Sequence, residues 1–146
     1  MFEKILVGYD GSTLSDKAVQ EVKKIVQLYP ESEVHVVSAI ELTGPSTNMM
    51  MSKNITNEII ENAEKQLEEI NKEFNEVGKE ITTKIFMSEK NKNPGENICN
   101  YAKQNDVSMI VVGSRGLGNL KGLFLGSVSS EIVQKANVPV LVMKDD

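Results

Sequence analysis

Apolar positions along this chain follow two rhythms that alternate from segment to segment. Lys4-Ile5-Leu6-Val7-Gly8-Tyr9 is a short apolar run with no helical period, the pattern of a strand buried on both faces. Asp10-Gly11-Ser12 follows as a turn. Ala18, Val19, Val22, Ile25, Val26 and Tyr29 then recur at three- and four-residue steps. That spacing predicts an amphipathic helix, capped by Ser12 or Ser15 and stopped near Pro30. Val34 to Ile40 is a second β-branched run, and residues 41 to 54, ELTGPSTNMMMSKN, have turn composition and read as a loop. Within it, Met49-Met50-Met51 reads either as a mobile flap or as a disordered stretch.

From Ile55 to Val77 the apolar residues form one stripe along a long helix with a charged outer face, ending at Gly78. Ile81 to Met87 alternates weakly and suits an edge strand. Pro94 fits the first turn of a helix through Ala102. Val107 to Val112 reads as a strand, Ser127 to Lys135 as a helix, and Val138 to Met143 as a fifth strand. Strict β-α alternation demands right-handed crossovers and a parallel sheet covered on both faces. The expected fold is one α/β domain over residues 1–146, Rossmann-like, with an open five-stranded parallel sheet in the order 3-2-1-4-5.

Composition narrows the partners. A formal net charge of -5 speaks against nucleic acid, because phosphate contacts need a basic face. No apolar run approaches the roughly 20 residues of a bilayer span, and the first residues do not have the pattern of a signal peptide. Cys99 is the single cysteine, so no internal disulfide forms; a cytoplasmic location is expected. Cys99 reads as a packed thiol. His35, the single histidine, is read as having no acidic or cysteine partner nearby in sequence and as a satisfied structural residue.

The chemistry gathers at strand ends, because open parallel sheets bind ligands beyond the C-terminal ends of their strands, where strand order reverses. Gly8-Tyr9-Asp10-Gly11-Ser12 is one such loop. The other lies in MIVVGSRGLGNLKGLFLGSVSSEIV, residues 109–133, which holds five of the ten glycines. Its glycines let backbone approach a ligand closely, and Gly126-Ser127-Val128-Ser129 opens a helix whose free N–H groups favour an anion. Ser127 and Ser129 bring hydroxyls, and Arg115 and Lys121 bring charge. The plainer alternative is a loose turn with Ser127 as an ordinary N-cap. Asp10 sits beside this loop as a ligand contact or as a brace for its own turn. The P-loop pattern fails because Asn119 and Leu120 follow Gly118. The dinucleotide fingerprint and the acidic set of a phosphoacceptor domain are missing too.

Gly113-x2-Gly116-x9-Gly126-Ser127 resembles the ATP-binding signature of the universal stress protein family. The likeness extends over the whole chain, with Lys4 to Ser12, Val111 to Gly116 and Asn137 to Met143 resembling the family's first, fourth and last strands. The resemblance implies adenine near Asp10 and the backbone at Ala39, with ribose and phosphates held by Gly113, Gly116, Gly126, Ser127, Val128 and Ser129. It implies ATP, ADP or AMP as ligand, with Mg²⁺ bridging phosphates. It also implies a homodimer, which would pair the last strand, Pro139 to Met143, with its copy. SEKNKNP, Ser88 to Pro94, departs from the pattern, being longer and more polar than the family's glycine-containing turn, so no contact is carried over from it, Met87 included. With no evident base, nucleophile or metal cluster, the expected role is a regulatory nucleotide binder with at most slow hydrolysis. The rivals are an adenine-nucleotide hydrolase or adenylating enzyme, and a nucleotide-free scaffold. Enzymes of that wider group tend to carry a serine-glycine-glycine run after the first strand, which Val7 to Ser12 lacks.

Overall fold

A computed structural model describes residues 1–41, 49–88, 92–115 and 125–145. The elements run β1 (Lys4–Gly8), α1 (Thr13–Leu28), β2 (Glu33–Glu41), α2 (Met49–Glu76) and β3 (Thr82–Ser88). They continue as α3 (Pro94–Gln104), β4 (Met109–Gly113), α4 (Ser127–Lys135) and β5 (Val140–Met143). All four strand pairings are parallel, in the order β3-β2-β1-β4-β5. The predicted fold class and strand order hold, with β3 at one edge and β5 at the other.

Two cores explain why β1 and β4 read as continuous apolar runs. Ile5, Val7, Met109 and Val111 face α1 and α2, packing against Val22, Val26, Leu67 and Phe74. Leu6, Ile110 and Val112 face α3 and α4, packing against Ile98, Tyr101 and Ile132. Successive strand residues point to opposite faces, so a strand covered twice has no polar position to show. Each such aliphatic side chain contributes roughly 1.5–3 kcal/mol by leaving water.

The long helix corrects the expected boundaries. Residues 49–54 are helical rather than loop, so Met49-Met50-Met51 belongs to α2 and the helix opens six residues before Ile55. Methionine, serine and lysine tolerate a helix, and no glycine or proline interrupts this stretch. Beyond those residues the stripe is shallow at first: Ile55 and Ile59 are exposed, and Ala63 is the first buried side chain among those described in α2. Of the expected loop, residues 42–48 lie outside the described residues. Ser12, not Ser15, is the N-cap of α1, its Oγ accepting from the Ser15 N–H at 3.2 Å.

Candidate functional site

Strand order reverses between β1 and β4, which are neighbours, so their C-terminal ends lie side by side at the place where open parallel sheets bind ligands. The β1 loop is tied to β2: the Tyr9 N–H donates to the Val37 carbonyl at 2.8 Å, and Ser38 Oγ donates to the Tyr9 carbonyl at 3.0 Å. Asp10 is exposed, and its Oδ1 accepts from the Ser12 N–H at 2.9 Å. One carboxylate oxygen therefore braces the turn, while the other has no partner among the described residues. The Tyr9 hydroxyl donates to Asp16 at 2.7 Å; burial first, then this carboxylate, raises its pKa well above the usual tyrosine value.

Ala39 lies near the end of β2, paired with Phe86 of β3 and half-buried against the α3-side core. Asp10, Ala39 and Gly113 thus lie at the C-terminal ends of β1, β2 and β4, the three central strands of the sheet.

Ser114 organises the β4 side. Its N–H donates to the Met143 carbonyl at 2.8 Å, and its carbonyl accepts twice, from the Gly126 N–H at 2.6 Å and from Ser129 Oγ at 2.7 Å. These bonds hold the first turn of α4 against the end of β4. Ser129 is buried, so its hydroxyl proton goes to the protein backbone and not outward. Gly126, rather than Ser127, is the N-cap, and no side chain caps the helix. The N–H groups of Ser127, Val128 and Ser129 therefore have neither an intrahelical acceptor nor a cap among the described residues. With the helix dipole behind them they form a seat for an anion. Ser127 is exposed and Val128 half-buried.

The two described signature glycines differ physically. A Cβ at Gly113 would stand 2.7 Å from Leu14 Cβ and 3.1 Å from the Leu14 carbonyl carbon, so β4 needs glycine there to pass the start of α1. At Gly126 the nearest atoms would be 3.4 Å away, an ordinary contact. Gly116, Gly118, Lys121 and Gly122 lie outside the described residues. Arg115 forms an ion pair with Asp145, beyond β5, so its guanidinium is directed at the chain's own carboxylate.

Sequence reasoning missed Ser114 and Asp145. Ser114 acts through its backbone, which carries no side-chain signal, and Asp145 meets Arg115 across 30 residues with no periodicity to announce it. It also misjudged the surroundings of His35. Glu33 is its acidic partner two residues away, with Oε1 2.7 Å from Nε2, because alternate strand residues share a face. The Tyr101 hydroxyl lies 2.6 Å from Nδ1, so the buried ring is satisfied at both nitrogens. Cys99 packs beside the α3–α4 core, and burial raises its thiol pKa. Among the described residues no cluster of three His, Cys, Asp or Glu side chains could hold a metal. No described helix is long and apolar enough to cross a membrane.

The profile of the universal stress protein family matches residues 1–144. Universal stress protein YxiE of Bacillus subtilis is 36% identical over 152 residues, covering 99% of this chain and 100% of that protein. Universal stress protein MJ0577 of Methanocaldococcus jannaschii is 31% identical over 159 residues, covering 99% of this chain and 96% of that protein. Its solved structure superposes with a TM-score of 0.89 over 100% of this chain and 98% of that one. A universal stress protein from Archaeoglobus fulgidus, solved in complex with dAMP, has the same fold at a TM-score of 0.69 and 23% identity, covering 99% of this chain and 100% of that one.

Proposed function

The chain belongs to the universal stress protein family, and from that premise we propose that its switch-point crevice binds an adenine nucleotide, ATP foremost, whose occupancy acts as a regulatory signal. The observation that carries this reading is the uncapped start of α4, three backbone donors held rigidly against β4 by Ser114. An N-capping side chain would satisfy one of those donors internally; glycine at the cap leaves them to a ligand. The phosphates sit on Ser127, Val128 and Ser129, with Gly113 and Gly116 shaping the loop before them. The free oxygen of Asp10 and the backbone near Ala39 face the adenosine end. ADP and AMP fit the same seat with fewer contacts. Mg²⁺ would accompany the nucleotide and offset its phosphate charge, since the described residues offer no protein cage for it.

Arg115 joins the phosphate contacts only by leaving Asp145, so it adds charge to a bound nucleotide at the expense of an existing pair. Among the described residues of the crevice no nucleophile is paired with a base, in keeping with at most slow hydrolysis. The dAMP complex of the A. fulgidus relative supports the class of ligand. A homodimer through β5 and a cytoplasmic location complete the reading.

Mass spectrometry of the purified protein identifies any co-bound nucleotide, and a thermal scan with millimolar ATP tests the binding directly. Co-purified adenine nucleotide or a raised melting temperature is expected. An empty protein whose melting ATP does not move would sink the proposal.

A further inference from the structure

The segment Ser88 to Pro94, where the sequence departs from the family pattern, carries in its last but one residue a side chain that reaches the support of the anion seat. Asn93 is the N-cap of α3, and its Oδ1 accepts from the Gly95 N–H at 2.9 Å. Its Nδ2 donates at 3.1 Å to the carbonyl of Ser127, the first residue of α4. One partner is an N–H and the other a carbonyl, so the two bonds together decide which amide atom is oxygen. A single half-buried side chain thus joins the starts of two helices.

Gly95 lets the helices come this close. A Cβ there would lie 2.8 Å from the Val128 carbonyl oxygen and 2.9 Å from Glu131 Cβ. The start of α3 is itself anchored to the sheet, where Asn97 Nδ2 donates to the buried Ser88 Oγ at the end of β3, 2.7 Å away. The first turn of α4 is therefore gripped from two sides, by Ser114 of the β4 loop and by Asn93 of α3.

We infer that Asn93 is a positioning residue for the anion seat, acting through the Ser127–Val128 peptide; this rests on the nucleotide reading above. The Ser127 carbonyl and the Val128 N–H belong to one planar unit and point in opposite directions. A donor on that carbonyl sets the direction of the Val128 N–H, the middle of the three anion donors. It also polarises the peptide, which strengthens the N–H as a donor.

The test separates the two jobs of Asn93. Asn93→Ser keeps a good N-cap for α3 but brings no amide to Ser127; Asn93→Thr is a second variant of the same kind. The full chain is measured by amide NMR without nucleotide, by thermal melting, and by calorimetric titration with ATP. The expected result is a melting temperature lowered by no more than the loss of one hydrogen bond, a shifted Val128 amide resonance in the free protein, and an ATP Kd raised about three- to tenfold. A merely structural role would lower the melting temperature and leave the Kd alone. Wild type and both variants binding ATP equally would overturn the inference while the nucleotide reading stands. A wild-type chain that binds no adenine nucleotide would overturn the reading itself, and the positioning role with it.

Discussion

At the scale of single residues, the two described signature glycines should separate in their consequences. Gly113→Ala drives a methyl to 2.7 Å from Leu14 Cβ, with helix backbone just behind it. The start of α1 must move, at a cost of about 1–3 kcal/mol typical of overpacking, read as a lowered denaturant midpoint. Gly126→Ser meets only ordinary contacts and supplies a capping hydroxyl. Its stability should hold or rise by a few tenths of a kcal/mol, while nucleotide affinity falls because the hydroxyl competes for the same N–H groups. Equal affinity by titration would mean that the phosphates do not use this helix start. Both residues were visible in the sequence as glycines at a suggestive spacing. Their different reasons were not, because Leu14 meets Gly113 from 99 positions away in the chain.

At the scale of elements, β2 and α3 are joined by the Glu33–His35–Tyr101 chain. Tyr101→Phe removes the partner of a buried ring nitrogen and should destabilise by about 1–3 kcal/mol in urea unfolding, the penalty for an unmade buried hydrogen bond. A loss near zero would mean that water reaches His35 instead. The hydrogen bond with His35 also holds the Glu33 carboxyl below its ordinary pKa, with Lys4 adding to the effect. A depressed carboxyl stabilises the fold above its unfolded value, about 4.3, and that contribution is lost as pH falls through the lower folded value. Glu33→Gln should therefore flatten the fall of unfolding free energy below about pH 4.3. The side chain is 55% exposed, so the change is modest; an unaltered acid slope would exclude it. Apolar runs, helical stripes and helix-start residues together placed all nine elements, because each is a local consequence of which faces are buried. The same reading missed residues 49–54 of α2 because their composition is that of a turn and carries no apolar period.

At the scale of the whole molecule, β5 is the edge next to the site. The carbonyls of Pro139 and Met143 accept from β4 at Ile110 and Ser114, so by alternation Val140 and Val142 direct their backbone groups to the open side. Leu141 is 37% exposed. An apolar open edge of this kind invites pairing with a second copy. Sedimentation should give twice the 16.1 kDa mass of one chain. Val142→Pro, which removes an outward N–H and leaves the β4 ladder whole, should yield the monomer. A wild type that sediments as a monomer, or a variant that stays dimeric, would place the dimer contact elsewhere or nowhere.

Local pattern sufficed for the succession of strands and helices, for the two-sided core and for the family, all of which rest on residue type at fixed spacing. It also placed Pro94 in the first turn of α3, where a missing N–H is tolerated. Only the tertiary structure decided that Asn93, the cap of that helix, holds Ser127, that Ser114 closes the start of α4 onto β4, and that Arg115 is paired with Asp145. Those contacts join segments 15 to 34 residues apart through single donors and acceptors. Such pairings have no period, so nothing short of the folded chain displays them.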